Sequence, residues 1–295
     1  MEASGIAFKH ADGKTDDCIN VLKKIGMNSI RLRVWVNPTD GWCNQADVVK
    51  QAVRAEKAGM KVMIDFHYSD WWADPGKQNK PEAWKNLDLN GLLAAMEVHT
   101  REVLNALKAA GVAPAWVQVG NETNDGMLWE TGRASKDMAT FAAMINAGYK
   151  AIKDIFPASK VIVHISNGYD NKMFRWMFDG LKANNAKFDI IGMSLYPDPN
   201  NWYAVNEQVN YNMKDMISRY EKEIMICEVG MPVNEAEKCK LFLTDLIQKL
   251  RALPNNKGLG VLYWEPECYN SWKNYNMCAF DNSGKPTVAL DAFKN

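Results

Sequence analysis

The chain has no net charge: 35 Lys and Arg balance 35 Asp and Glu. That argues against nucleic acid or an acidic polymer as the main partner and favours a neutral ligand. There is no run of about 18 apolar residues, so no membrane span is expected. Met1-Glu2-Ala3-Ser4-Gly5 has neither a basic start nor an apolar stretch behind it, so no signal peptide is read there. Histidine is scarce. His10, His67, His99 and His164 are too scattered to predict a metal site, and His10 and His99 are expected at the surface. The six cysteines form no Cys-x-x-Cys pair and no zinc-ligand spacing. Cys268 and Cys278 flank a polar loop and could pair, whereas Cys227 sits in an apolar run and reads as a buried thiol. Gly-x-Gly-x-x-Gly after a first strand, Gly-x-Ser-x-Gly and His-Glu-x-x-His are all missing. Dinucleotide binding, nucleophile-elbow hydrolysis and zincin chemistry therefore have no support.

What is present is a large apolar share, 47%, with 11 Trp and 10 Tyr. That fills a full core and leaves aromatics for a ligand. One domain over 1–295 is expected. Strand-like runs at 29–36, 61–68, 117–122, 160–166, 189–196, 223–228 and 259–264 alternate with helical patterns at 14–25, 46–58, 90–110, 136–154, 171–182, 205–220 and 235–251. Such alternation means parallel strands with crossover helices, and the unbroken series favours a (β/α)8 TIM barrel. Seven strands are found, not eight. The chain opens on what reads as the loop after a first strand, so a strand ahead of Met1 is expected.

Two apolar runs stop at a glutamate: Val117-Gln118-Val119-Gly120-Asn121-Glu122 and Met225-Ile226-Cys227-Glu228. A carboxylate there is costly to desolvate unless it faces a polar cleft. Side chains alternate faces along a strand. One parity is apolar (Val62, Ile64, Phe66; Val161, Val163, Ile165). The other carries Arg31 and Arg33, Asp65 and His67, Gln118 and Glu122, His164 and Ser166, Ser194 and Tyr196, and Glu228. Polar groups on one face near the C-terminal ends of strands mark a barrel site. Paired carboxylates of unlike pKa suit glycosidic hydrolysis. Glu228 reads as the nucleophile, with Arg33 and Tyr196 as its cation and hydrogen-bond donor and Arg31 as the weaker choice. Glu122 reads as the acid. Trp71, Trp72, Trp129 and Trp264 are candidate platforms for sugar rings.

These residues resemble glycoside hydrolase family 53, the endo-β-1,4-galactanases. The resemblance rests on Arg31-Leu32-Arg33-Val34-Trp35-Val36-Asn37-Pro38, Asp65-Phe66-His67-Tyr68-Ser69-Asp70 and Trp72-Ala73-Asp74-Pro75-Gly76-Lys77-Gln78. It continues through Gly120-Asn121-Glu122, Gly126-Met127-Leu128-Trp129, Ser194-Leu195-Tyr196-Pro197, Glu228 and Tyr263-Trp264-Glu265-Pro266. It implies a retaining hydrolase that cuts internal β-1,4-galactosyl bonds in pectin side chains. Glu122 would be the acid/base and Glu228 the nucleophile. Asn121 would bond the sugar 2-hydroxyl, and Arg33, His67, Tyr196 and Trp264 would line the central subsite, with Trp72 and Trp129 also binding substrate. The family also implies an extracellular, cell-surface or periplasmic location and a neutral polysaccharide partner. No cofactor is called for and a monomer is expected. Gly230-Met231-Pro232-Val233-Asn234-Glu235 enters a helix at once, so the calcium-binding loop of some bacterial members is not expected. The rivals are a hydrolase of another β-1,4-glycan, mannan or glucan, and a non-catalytic sugar-binding barrel.

Overall fold

A computed structural model describes residues 1–294. A short hairpin, β1 (Phe8–Lys9) with β2 (Thr15–Asp16), leads into α1 (Cys18–Ile25) and β3 (Ser29–Val34). Then α2 (Gln45–Lys57), β4 (Lys61–Phe66), α3 (Leu89–Ala109), β5 (Trp116–Val119), α4 (Met138–Ile155) and β6 (Lys160–Ile165) follow. The series ends with α5 (Asn171–Ala183), β7 (Ile190–Leu195), α6 (Trp202–Tyr220), β8 (Glu223–Val229), α7 (Ala236–Arg251) and β9 (Gly258–Tyr263). Strands β3 to β9 pair in parallel in sequence order, a nearly closed barrel sheet wrapped by helices. No helix among the described residues is long and apolar enough to cross a membrane.

Local chemistry sets the boundaries. Asp17, Asn44, Asp88, Asp137 and Asp170 each accept a backbone N–H at the start of α1 to α5, satisfying donors that a helix leaves free. Helix α1 ends at Gly26, φ 118°, where a Cβ would lie 2.1 Å from the Phe293 carbonyl oxygen. The start of α1 differs from expectation because Thr15 and Asp16 pair with Lys9 and Phe8 instead.

The core has two layers. Val62, Ile64, Phe66, Val117, Val161 and Val163 face the helices, as the parity predicts. Met63, Ile162, Ile190, Met225 and Cys227 fill the barrel interior. Strand β8 breaks the alternation. Met193 pairs with Ile226 but Ser194 pairs with Glu228, so Cys227 is an extra residue in a bulge. Strict alternation would send Glu228 outward with Ile224 and Ile226; the bulge turns it toward the barrel mouth.

The sheet is not closed. Strands β3 and β9 share no ladder. A cavity of about 740 Å³ lies in the seam, lined by Ile30, Leu32, Trp116, Val261 and Leu262 among others. The eighth strand of the barrel is not among the described residues.

Two expectations from sequence need correction or completion. His99 is not a surface residue. It lies on the inward stripe of α3 with Leu92, Met96 and Val103, against Phe66, Tyr68 and Trp84. Burial pushes its imidazole down to about 4. Cys268 and Cys278 are both buried and unpaired, and none of the six thiols is paired.

Candidate active site

The chain leaves β5 through Gly120, φ 81°, where a Cβ would meet the Thr123 side chain at 2.5 Å. Two residues on, Glu122 itself takes φ 45°. A non-glycine residue in that region costs about 1–3 kcal/mol and persists only where its surroundings hold it. Here Gln78 Nε2 donates to the carbonyls of Asn121 (2.8 Å) and Glu122 (3.3 Å), and Thr123 N donates to the His164 carbonyl at 2.9 Å. The Trp-Ala-Asp-Pro-Gly-Lys-Gln loop after β4 thus fixes the carboxylate loop after β5.

Glu122, Glu228, Asn121, Tyr196, Trp72 and Trp264 line one cavity of about 430 Å³ at the barrel mouth. Arg31 Nη1 donates to Glu228 Oε1 at 2.8 Å, and Tyr196 Oη donates to Glu228 Oε2 at 3.0 Å. Arg31 also reaches Asp65 Oδ2 (2.8 Å), Asn121 Oδ1 (2.7 Å) and Gln118 Oε1 (3.1 Å). Gln118 Nε2 completes the ring at Asp65 Oδ1, 2.7 Å. Burial works against the charge on Arg31, but Asp65 and Glu228 hold its guanidinium above its ordinary value. Burial, with Glu228 beside it, raises the Tyr196 phenol well above its ordinary value, so it stays a donor. On the other wall, burial and then the negative charge of Glu228 push the Glu122 carboxyl up to about 8. Two carboxyl groups in one cavity therefore differ in kind: one is clamped by a cation and a phenol, the other is biased to keep its proton.

Arg33 is not the partner of Glu228, and this corrects the sequence reading. Its Nη1 pairs with Glu265 Oε1 at 2.9 Å, and its guanidinium lies 4.1 Å from the Trp72 ring and 5.2 Å from that of Trp264. Arg31, one pleat deeper, faces Glu228 because β8 bulges inward there. His67 is 1% exposed and lies beneath the cavity. Its Nδ1 accepts from Trp35 Nε1 (3.2 Å) and Ala73 N (3.2 Å), so Nε2 carries the proton and donates to Asp65 Oδ2 at 3.0 Å. It holds the loop that carries Trp72. Trp129 is not among the cavity-lining residues. Its Nε1 donates to the Asp125 carbonyl at 2.8 Å and Arg133 stacks 3.7 Å from its ring.

Ser194, His164, Gln118 and Glu265 also serve the site. Ser194 bonds the Glu122 carboxylate and stands 2.8 Å from His164 Nε2. Burial, and then the charge of Arg31, hold His164 well below the usual imidazole range. Inward parity marks the first three; Glu265 follows Trp264 with no periodic signal.

The chain matches glycosyl hydrolase family 53 over residues 1–241 and 234–293. An arabinogalactan endo-β-1,4-galactanase of Thermothelomyces thermophilus is 30% identical, with 99% of this chain and 95% of that protein covered. Among solved structures, a fungal β-1,4-galactanase superposes with a TM-score of 0.92 at 29% identity, covering 100% of this chain and 95% of the other. The catalytic domain of an Ignisphaera aggregans family 53 protein gives 0.89 at 29% identity, covering 98% and 91%.

Proposed function

Since the chain belongs to glycosyl hydrolase family 53 and is an endo-β-1,4-galactanase, we propose that it cuts internal galactosidic bonds of arabinogalactan by double displacement with retention. Glu228 is the nucleophile and Glu122 the acid and then the base. The observation that carries this is the contrast within one cavity. The Glu122 carboxyl is pushed up to about 8, while Glu228 accepts from Arg31 and Tyr196.

In the first step a Glu228 oxygen attacks the anomeric carbon and the glycosidic C–O bond breaks. The leaving oxygen takes the proton of Glu122. Glu228 is then an ester and has lost its charge. That removes the second-largest of the causes that raised the Glu122 pKa, so the carboxylate left behind is stabilised until water arrives. In the second step water yields a proton to Glu122, its oxygen attacks the anomeric carbon, and the bond to Glu228 breaks. Asn121 is oriented for the sugar by Arg31 and by its own donation to the Ala73 carbonyl at 2.8 Å. Trp264 and Trp72 supply faces for the ring, with Arg33 stacked behind them.

We further propose galactan side chains of pectin as the substrate, met outside the cell where such a polymer is found, by a monomer.

Glu122→Gln and Glu228→Gln test the assignment. Each should lower kcat on galactan by about 10²–10⁴-fold or more. NMR of the first-formed product should show the β-anomer. An α-anomer, or near-wild-type cleavage by either variant, would overturn the roles. Parallel digests of galactan, mannan and glucan identify the substrate, and preference for either of the latter rejects it.

A further inference from the structure

Glu122 follows β5 and Glu228 lies on β8. The sheet order puts β9, β3 and β4 on one side of that pair and β6 and β7 on the other. The first arc carries the tryptophans, Trp264 and Trp72 in the cavity with Trp35 and Trp71 packed beside Trp72. The second arc carries Ser166, Asn167, Ser194 and Tyr196 and no tryptophan that lines the cavity.

Beyond Asn167 the surface dips again. A depression of about 530 Å³ is lined by Tyr169, Asp170, Glu207, Gln208 and Tyr211. It adjoins the cleft, because Tyr169 Oη donates to Asn167 Oδ1 at 3.4 Å and Asn167 itself lines the cleft. Tyr169 and Tyr211 are 41% and 61% exposed, and Tyr203 is 58% exposed. On α6, Tyr203, Glu207 and Tyr211 are spaced four apart and so share one face. At 1.5 Å per residue that stripe runs for about 12 Å.

Aromatic rings this exposed add little to the core. They alternate with carboxylate and amide groups, the combination that receives a sugar ring: its C–H face on the aromatic, its hydroxyls on the polar groups. The carboxylates are fixed in place. Asp170 accepts from Met173 N at 3.0 Å, and Glu207 pairs with Lys249 at 3.0 Å.

We propose that this depression is a second carbohydrate site, which holds a distal stretch of the galactan chain after it leaves the cleft past Asn167. The inference rests on the galactanase reading, and the experiment separates the two. A Tyr169→Ala/Tyr211→Ala variant is compared with the wild type on polymeric galactan and on galactotetraose, with the Tyr→Phe pair as control. KM on the polymer should rise roughly three- to tenfold, the scale of a lost aromatic contact. Kinetics on the tetrasaccharide should not change, and the Phe pair should stay near wild type. Unchanged polymer KM in a variant of an enzyme that does cleave galactan overturns the distal site alone. An equal loss on the tetrasaccharide overturns it too, by moving these tyrosines into the cleft. So does a wild-type dimer in sedimentation that the Ala variant dissolves, since the patch would then serve a second copy. A wild type that cleaves no galactan overturns the galactanase reading itself.

Discussion

Replacing Glu122 by Gln should stabilise the fold increasingly as the pH rises. Burial, and then the charge of Glu228, move the folded carboxyl from 4.5 to about 8. The folded state therefore keeps a proton that the unfolded chain releases. Stability falls as pH rises from about 4.5 to about 8, the window between unfolded and folded values. The full shift corresponds to about 5 kcal/mol. At pH 5 less than about 1 kcal/mol of it is felt, and at pH 8 most of it is. Gln keeps the shape and does not titrate. The difference between variant and wild type cancels the titrating groups that do not couple to Glu122, and it should widen by about 3–4 kcal/mol between pH 5 and pH 8. Calorimetry at pH 5, 6, 7 and 8 measures this. At about 2 °C per kcal/mol for a chain of this size, the Tm advantage of the variant should grow by roughly 6–8 °C. In a Glu228→Gln background the widening should shrink, because the charge on Glu228 is the second cause of the shift. A gap that stays flat or narrows with pH refutes the reasoning.

Three further outcomes follow from the same geometry. The pH profile of kcat/KM on galactan should lose its alkaline limb with an apparent pKa of about 8, a value belonging to the Glu122–Glu228 pair; an alkaline limb below pH 6 would contradict it. Arg31→Lys should lower kcat by about 10²-fold, since an ammonium cannot hold Glu228, Asn121 and Gln118 in one fork, whereas Arg33→Lys should cost less than about tenfold. Equal losses would return Arg33 to the side of Glu228. His99→Leu should raise stability by about 1 kcal/mol in urea at pH 7, because His99 Nε2 is buried with no hydrogen-bond partner; destabilisation would show that the imidazole packs better than a leucine.

The alternation of strands and helices was legible because each strand is a short apolar run and most helices begin at a side-chain cap. The apolar parity of β4 and β6 matched the helix-facing layer for the same reason: parallel strands bury both faces, but only one face must be wholly apolar near the mouth. Glu228 was reached by a route that the pattern does not contain. Its inward aim depends on the bulge at Cys227, and a bulge carries no periodic signature. The same bulge explains why Arg31 displaced Arg33, for the depth at which two strands face each other is set by register and not by spacing within either strand. His99 was readable: Leu92, Met96, His99 and Val103 recur at helical spacing, and a histidine in that series points inward. Trp129 was not, since the arginine that stacks on its ring comes from a loop with no regular period.

The seam between β3 and β9 gives the reactive arginines a mechanical duty. No backbone ladder joins these two strands. A side chain bridges them: Arg33 on β3 reaches Glu265 just past β9, while Arg31, also on β3, reaches farther across to Glu228 on β8. Arg33 is thus the clasp of an otherwise unfastened ring, and Arg31, which holds Glu228, ties the same strand to β8. In a barrel laddered all the way round, chemistry and closure are held by different atoms. Here one strand carries both, Arg33 fastening the seam and Arg31 holding Glu228, so slackening β3 loosens the vessel as well as the reaction it contains.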